Sequence, residues 1–220
     1  MNGSGVRNVP EKESTARVSA TGSDRAAAIV DAAAEPVLYV NDVRYLRLSA
    51  LLHDARAHRE PTEPATGDEV TRLLFDESRM LDECRYDEWM DLFASECIYW
   101  VPSRFEPTDP RVETSIYLDD RRRLGDRVAA IRTGALHAQN PRSRTRRMLS
   151  NIERWAAADG SVRARANIVI WEHRRAVTRS YPGWQAYEIV RDAQGRAVVA
   201  SKIVCLLDCD APLGNYAFIL

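Results

Sequence analysis

The side chains best suited to metal or acid–base chemistry are few and scattered in this sequence. The histidines are His53, His58, His137 and His173, and none lies in an HExxH or HxH spacing or beside cysteines at a zinc-ligand spacing. The paired Cys/His segments that ligate an iron–sulfur cluster are absent, as is any clear group of two histidines and one carboxylate. We therefore interpret the histidines as surface or satisfied residues, and predict no metal ligand, cofactor ligand or catalytic residue in this chain.

The cysteines and the glycine-containing motifs exclude further classes of protein. Cys84, Cys97, Cys205 and Cys209 form no CxxC pair, and they are too few to suggest a disulfide framework in a chain of 220 residues. Free structural thiols in a reducing compartment fit this pattern best. No GxGxxG, GxxxxGK[ST] or GxSxG segment occurs, so the sequence does not support a nucleotide-binding protein or a serine hydrolase.

Charge is segregated along the chain. Residues 76–96 hold eight acidic side chains against two arginines, whereas residues 121–147 hold nine arginines against one aspartate. One interpretation is RNA or phosphate binding, and the other is ion pairing within the chain or with a partner subunit. We favour ion pairing, because no aromatic residues interleave with the arginines and the whole chain has a net charge of −1.

The block Pro141–Asn151 carries four of those arginines. If a strand begins near Thr145, then Arg147 faces the same side as Thr145, while Arg144 and Arg146 face the other side. Arginines against a dry core need carboxylate partners, which either the acidic segment or a neighbouring subunit must supply. We predict that this block is an assembly surface, and a fully solvated face is the alternative.

The elements that would position these residues begin after a polar segment. Residues 1–35 are rich in Gly, Ser, Ala and charged residues, so we expect a disordered tail. Residues 36–67 are predicted to be a helical extension and linker, since apolar residues from Leu48 to Ala55 follow helical spacing. Asn41 or the following aspartate would cap this helix, and the Glu-Pro-Thr-Glu-Pro run would end it.

Residues 68–220 are predicted to form the main domain. Because Tyr99 and Trp100 point to opposite faces of one strand, both faces of that strand should be covered. Segregated helices and strands favour an α+β fold, in which a curved antiparallel sheet wraps over N-terminal helices. In order, the patterns predict a helix at 70–81, a short helix at 86–93, strands at 97–101 and 112–118, a helix at 124–131, and long strands from residue 145 onward.

Length and hydropathy limit the overall organisation. A chain of 220 residues with 45% apolar residues suffices for one domain with a sizeable core plus an extension. No segment approaches the roughly 18 apolar residues that a membrane span needs, and the first residues lack a secretory apolar region. We therefore expect a cytoplasmic protein.

Four blocks of the sequence together resemble one known family. They are Phe75–Glu83 running into Tyr86–Phe93, then Ile98–Arg104, then Asn140–Asn151, and the tail Leu207–Leu220. Each block alone is weak, but all four in this order are specific. They are similar to the small (β) subunit of bacterial aromatic-ring-hydroxylating dioxygenases, and the resemblance covers residues 68–220.

The resemblance implies a cone-like α+β fold of the cystatin-like kind, similar to nuclear transport factor two and scytalone dehydratase. It also implies that the β subunits form a trimer beneath three large (α) subunits. The α subunits would hold the Rieske iron–sulfur cluster and the mononuclear iron, and would dihydroxylate an aromatic substrate. This chain would then be a non-catalytic structural subunit of an oxidoreductase, with neither nucleic acid nor a membrane as a partner.

Candidate residues for subunit interfaces follow from the blocks and the strand pattern. The tail from Tyr216 to Leu220 is too apolar to stay exposed, so we expect it to pack against something. The selected interface residues are Trp100, Arg104, Arg144, Arg146, Arg147, Asn151, Tyr216 and Phe218.

Two other functions are open at this point. One is a free-standing dehydratase, isomerase or cyclase of the same cone fold, in which His137 with Asp119 or Asp120 would form an acid–base pair. The other is a pure binding or regulatory module. A conical pocket holding a His–carboxylate pair would favour the enzyme, whereas a filled apolar cone would favour the subunit.

Overall fold

A computed structural model describes residues 40–57, 67–211, 216 and 218–220. The tail predicted at 1–35 and the linker residues 58–66 lie outside the described residues. The helices are α1 (Asp42–Arg56), α2 (Gly67–Asp82), α3 (Tyr86–Asp91) and α4 (Arg121–Arg132), with a 3₁₀ turn at His137–Gln139. The strands are β1 (Phe93–Pro102), β2 (Ser115–Asp120), β3 (Arg144–Ala156), β4 (Val162–Arg174), β5 (Val177–Arg191) and β6 (Ala197–Leu206).

The six strands form one sheet in the order β2-β1-β6-β5-β4-β3. Every neighbouring pair is antiparallel except β1 and β6, which run parallel. A short turn joins the antiparallel strands β5 and β6, and in it the Asp192 carboxylate accepts the main-chain N–H groups of Gln194 and Arg196. The α+β prediction, with a curved and mostly antiparallel sheet behind N-terminal helices, is confirmed.

The inner face of the sheet holds the main core. Helices α2, α3 and α4 pack there, and the spacing from Val70 to Leu81 that predicted α2 corresponds to its buried side. Burial of each such leucine stabilises the fold by about 1.5–3 kcal/mol. Trp89 of α3 lies edge-on to Phe93 and Tyr99 of β1, at ring-centroid distances of 4.8 and 6.4 Å.

Helix α1 covers part of the outer face of the sheet. The Asn41 side chain caps it by accepting the main-chain N–H of Arg44 at 3.1 Å, as predicted. Its apolar side packs against the outer side of β1, where Trp100 lies, and Tyr99 lies in the inner core. Both faces of β1 are therefore covered, as predicted. The outer cluster contains Leu48, Leu51, Leu52, Ala55, Ile98, Trp100, Ala186 and Ile203.

Two predicted elements have different boundaries in the structure. The helix predicted at 86–93 ends at Asp91, and Phe93 already belongs to β1. The strand predicted at 112–118 begins only at Ser115, and Val112 is 80% exposed. There the Asp109 side chain accepts the main-chain N–H of Arg111, so a turn replaces the start of the strand.

Candidate functional site

The centre of the cone, where a cone-fold enzyme would bind its substrate, holds a buried ion pair. Glu77 projects from α2 and Lys202 from β6, and the Lys202 Nζ lies 2.7 Å from the Glu77 Oε1. Each side chain is only 1% exposed. Removing one partner of such a pair strongly destabilises the fold, because the remaining charge stays buried without a partner.

Aromatic side chains complete this cluster. Glu77 also accepts hydrogen bonds from the Tyr187 hydroxyl at 2.5 Å and from the Trp89 Nε1 at 3.2 Å. The Lys202 Nζ lies 5.1 and 5.3 Å from the ring centroids of Tyr99 and Tyr187. Burial lowers the pKa of Lys202, which Glu77 opposes, and burial raises the pKa of both tyrosines well above their usual value. The side chains of Lys202, Tyr187 and Trp89 are therefore all bonded to Glu77.

The tail, predicted to pack against something, packs onto the inner face of this chain's own sheet, so Tyr216 and Phe218, selected as interface residues, instead contribute to its core. Tyr181 of β5 contacts the rings of Tyr216 and Phe218 at centroid distances of 5.1 and 5.4 Å. The Tyr117 hydroxyl donates to the Tyr216 carbonyl at 2.5 Å, and the Tyr99 hydroxyl donates to the main-chain oxygen of Leu220. Burial raises the pKa of Tyr117 and of Tyr216 to about 12. Aromatic stacking and main-chain hydrogen bonds thus fix the tail within the cone.

The arginine block divides between the two faces of β3, as predicted. Thr145 and Arg147 face inward, and both contact Asp82 at the end of α2: the Arg147 Nη1 at 2.5 Å and the Thr145 Oγ1 at 2.9 Å. The Asp82 carboxylate also accepts the main-chain N–H of Arg147 at 2.8 Å. The Arg147 side chain is 3% exposed, and it donates to the Ile219 carbonyl as well. The acidic segment therefore supplies the partner of this inward arginine.

The other two arginines of β3 face outward. Arg144 and Arg146 are exposed, and within the described residues neither forms an ion pair with a carboxylate. Among the described residues, the Arg146 side chain donates one hydrogen bond, to the Thr145 carbonyl at 3.1 Å. These two guanidinium groups are available to solvent or to a partner.

The loop before β3 is held by a buried polar network. Gln139 and Ser143 exchange two hydrogen bonds of 3.0 Å. The Ser143 hydroxyl donates to one oxygen of Glu172, and the Tyr181 hydroxyl donates to the other at 2.8 Å. This network joins the arginine block to β4 and β5 in a single arrangement.

The acid–base pair of the enzyme hypothesis is not assembled. His137 is exposed in the 3₁₀ turn. Asp119 is buried and bonded to Arg127 at 2.7 Å, with the Arg127 guanidinium stacked over the Tyr117 ring. Asp120 caps α4 through the main-chain N–H of Arg123 at 2.9 Å. Both carboxylates serve the fold, and neither is bonded to the histidine.

The remaining candidate interface residues lie in different surroundings. Trp100 is 0% exposed beneath α1, and its Nε1 donates to the Ser115 hydroxyl at 2.9 Å. Arg104 is exposed in the loop after β1. Asn151 is exposed at an irregularity of β3, where its φ of 50° lies in the left-handed region. Trp100 thus contributes to the chain's own core, whereas the side chains of Arg104 and Asn151 are free to contact another molecule.

Sequence reasoning missed the two charges at the centre of the cone. Glu77 occupies the apolar side of α2, between Leu74 and Leu81, and Lys202 interrupts the apolar strand β6. A charged residue on a buried face is a signal that a buried ion pair exists. The signal was present for both residues, but only the fold shows that they meet.

The thiols and one surface cleft are the remaining candidate features of the described residues. None of the four cysteines is in a disulfide, and burial raises the pKa of Cys97 and of Cys205 to about 12. A polar cleft of about 360 Å³ lies between the start of α3 and the end of α4. Its lining residues are Cys84, Arg85, Tyr86, Asp87, Glu88, Arg132 and Arg142.

Metal sites and membrane-spanning helices are both absent from the described residues. Within residues 40–57, 67–211 and the described part of the tail, no three His, Cys, Asp or Glu side chains are grouped as a metal site. No helix in the same residues is both long enough and apolar enough to span a membrane.

Comparison with known proteins gives one consistent result. The family model described as "Ring hydroxylating beta subunit" matches residues 76–210. The small oxygenase component of the p-cumate 2,3-dioxygenase system of Pseudomonas putida is 34% identical over 159 residues, covering 70% of this chain and 87% of that protein. The β subunit of benzoate 1,2-dioxygenase from Acinetobacter baylyi is 32% identical over 146 residues, covering 63% of this chain and 85% of that protein.

Solved structures share the fold. The β subunit of benzoate 1,2-dioxygenase from Burkholderia mallei superimposes with a TM-score of 0.56 at 28% identity, covering 73% of this chain and 100% of that chain. A chain of naphthalene 1,2-dioxygenase superimposes with a TM-score of 0.62 at 20% identity, covering 83% of this chain and 100% of that chain. The second likeness concerns the fold alone.

Proposed function

Since this chain belongs to the ring hydroxylating beta subunit family, we propose that it trimerises and supports the iron-containing large subunits of an aromatic-ring-hydroxylating dioxygenase. As a β subunit of such a dioxygenase it belongs to an oxidoreductase system for aromatic catabolism. The aromatic substrate would be bound and dihydroxylated in the large subunit. This chain would contribute no catalytic residue, and its partners would be the large subunit and two further copies of itself.

The single observation that carries the non-catalytic part of the proposal is the occupied interior of the cone. Catalysis needs a group that can exchange a proton with a bound substrate. Here the Glu77–Lys202 pair is bonded internally, and its neighbouring hydroxyls and indole are bonded to Glu77 or to the tail. The tail occupies the inner face of the sheet. These contacts suit a rigid structural subunit better than an enzyme.

The two iron centres are proposed for the large subunit. When bound there, they would supply the electron transfer and the oxygen activation. No three potential metal ligands are grouped within the described part of this chain, which supports placing both centres in the large subunit. Its own residues would instead hold a surface on which the large subunit rests. We also propose a reducing, cytoplasmic location, since the cysteine spacing favours free thiols.

Co-expression with a candidate large subunit tests the proposal. We expect the two chains to copurify in equal amounts, with iron and acid-labile sulfide in proportion to the large subunit. This chain purified alone should carry no stoichiometric iron and should convert no aromatic substrate. One iron per chain after desalting, or turnover by this chain alone, would contradict the accessory role.

A further inference from the structure

The polar cleft between the start of α3 and the end of α4 has the composition of an anion site. Three arginines, two acidic residues, one thiol and one phenol line its volume of about 360 Å³. They come from three separate parts of the chain, at 84–88, 132 and 142. Small-molecule sites usually have volumes of about 300–1,000 Å³. The cleft is at the lower end of that range, so it suits a small ligand.

The turn after α2 fixes one wall of the cleft. The main-chain N–H of Arg85 donates to the Met80 carbonyl at 2.8 Å, and the N–H of Cys84 donates to the Leu81 carbonyl at 3.2 Å. Cys84 has a φ of 59°, in the left-handed region where a helix that ends in this way usually has glycine. The cysteine therefore places a thiol on the wall, where glycine would place no side chain.

The loop that carries Arg142 is fixed on both sides of this residue. Ser143 is buried and its hydroxyl donates to Glu172 at 2.5 Å. The carbonyl of Pro141 accepts a hydrogen bond from the Arg174 Nε at 2.8 Å. Arg142 itself is exposed and lines the cleft. Its guanidinium group therefore extends into the cleft from a main chain that is held in place.

One positive charge of the cleft has no partner. Arg85 forms an ion pair with Glu88, and Arg132 forms one with Asp87 at 2.7 Å. Among the described residues, Arg142 forms no ion pair with a carboxylate. Three arginines and two carboxylates thus leave one uncompensated cation, which is located at Arg142.

A smaller cavity of about 10 Å³ adjoins the cleft, since Cys84 and Tyr86 line both. Such a volume is about that of one oxygen-sized atom. Arg147 also lines this inner cavity, its side chain is 3% exposed, and its Nε is buried without a hydrogen-bond partner. A buried donor without a partner is unfavourable, so an acceptor atom in this cavity would be stabilised.

Tyr86 lies where the two cavities meet. Burial, and then its hydrogen bond with Cys84, raises the pKa of Tyr86 above its usual value, while Arg142 and Arg147 oppose this shift. The phenol therefore stays protonated at neutral pH and can donate a hydrogen bond to an anion. The opposing effect of the two arginines means that both favour negative charge at this point.

We propose that this cleft binds a small monocarboxylate, whose carboxylate group lies against Arg142 and the Tyr86 hydroxyl at the entrance to the inner cavity. The planar fork of Arg142 can donate to both carboxylate oxygens, and the charge of Arg147 lies behind them. A single uncompensated cation matches a monoanion, whereas a second negative charge on the ligand would face Asp87 and Glu88. Such binding is additional to the proposed structural role and does not depend on it.

Protection of Cys84 from alkylation tests the site, because the thiol lies on the cleft wall. The probe is butyrate, added to the full-length protein at constant ionic strength, and the alkylating reagent is iodoacetamide, which is uncharged. For an open cleft we expect a dissociation constant of about 1 mM. Butyrate at about 10 mM should then occupy about nine-tenths of the sites and slow the alkylation about tenfold. Butyramide, which has the same shape without the charge, should give no protection.

Variants of two neighbouring arginines separate the site from general effects of charge. Arg142→Gln should abolish the protection by butyrate, and Arg142→Lys should weaken it, because lysine keeps the charge but loses the fork. Arg144→Gln is the matched control, since Arg144 is exposed in the same block but lies outside the cleft lining, and it should keep full protection. Protection is the ratio of alkylation rates without and with butyrate in the same variant, so differences in thiol reactivity cancel. Saturation-transfer-difference NMR of butyrate measures the same binding without the thiol.

Several results would overturn the proposal. Absence of both protection and saturation transfer in the wild type at saturating butyrate would do so, as would equal protection by butyramide or unchanged protection in Arg142→Gln. Stronger protection by inorganic phosphate than by butyrate would show that the ligand class is wrong. Circular dichroism checks that each variant is folded. None of these results bears on the β-subunit function, which copurification with a large subunit tests separately.

Discussion

Replacing Lys202 by methionine removes one partner of the ion pair at the centre of the cone. Methionine fills a similar volume, so the main change is a Glu77 carboxylate without its cation, in a site where both side chains are 1% exposed. Breaking one partner of a buried pair costs about 3–5 kcal/mol. In a folded domain of this size, each kcal/mol lowers the midpoint of thermal unfolding by about 2–4 °C, so we expect a drop of about 6–20 °C.

The double variant Glu77→Gln with Lys202→Met should recover most of that loss. The amide oxygen of the introduced glutamine can accept from the Trp89 indole, and its N–H₂ group can donate to the Tyr187 hydroxyl, so no buried polar group is left alone. Replacing a buried ion pair by neutral groups is often neutral or stabilising. Urea unfolding, followed by circular dichroism, gives the free energies for a double-mutant cycle.

The exposed pair between Arg191 and Glu69 is the matched control. Their side chains are 46% and 44% exposed, so Arg191→Met should cost no more than about 1 kcal/mol. If Lys202→Met also costs less than about 1 kcal/mol, or if the double variant is no more stable than the single one, the reasoning about the buried pair is refuted.

The pH dependence of the same cycle has a definite sign. Because burial lowers the pKa of Lys202 in the folded state, the unfolded chain binds more protons between that pKa and about 10.4. The contribution of this lysine to stability should therefore rise as the pH rises through this window, and should be lost as the pH falls. The stability of the wild type relative to the double variant should increase from pH 8 to pH 10. A decrease would contradict the assigned direction.

Three shorter predictions test other contacts. Arg147→Met should destabilise the chain by about 3–5 kcal/mol in urea unfolding, because it leaves a buried carboxylate of α2 without its cation. Arg144→Met, on the exposed side of the same strand, should change the free energy of unfolding by less than about 0.5 kcal/mol. Leu51→Ala, beneath α1, should cost about 2–5 kcal/mol by cavity formation, whereas Leu46→Ala, at a residue 61% exposed, should cost almost nothing; equal costs would mean that α1 does not pack on the sheet. In the folded protein at pH 8, Cys84 should react with a thiol reagent well before the other three cysteines, because those are buried and two of them have a pKa raised to about 12. Mass spectrometry after timed quenching measures the order of reaction, and modification of a buried cysteine before Cys84 would contradict the prediction.

Local patterns predicted the elements wherever burial alone decided them. The spacing of leucines in α1 and α2 and the alternation along β4 correspond to buried faces. Prediction failed where a side chain, rather than a neighbouring strand, accepted a main-chain hydrogen bond. Asp109 captures the N–H of Arg111, and a turn forms where alternating residues from Val112 had predicted a strand.

The surroundings of the candidate residues could be predicted only where they do not depend on contacts between distant parts of the chain. The alternation of β3 was enough to predict which arginines face inward. Trp100, selected as an interface residue, is buried beneath α1, and no local pattern shows which helix covers which half of a sheet face. Likewise, His137 and Asp119 were candidates for an acid–base pair, but Asp119 is bonded to Arg127 and the histidine is exposed.

By itself, the sequence determined the family, the α+β class and the two-sided character of β1, because these follow from local spacing and from motifs in a fixed order. Only the tertiary structure decided which charges meet. Glu77 and Lys202 are separated by 125 residues, and Asp82 and Arg147 by 65. Ion pairing has no sequence periodicity, so its partners are chosen by the register of β6 beside β1 and by the packing of α2 on β3. The same packing covers the inner face of the sheet, whereas α1 covers the outer side of β1 around Trp100.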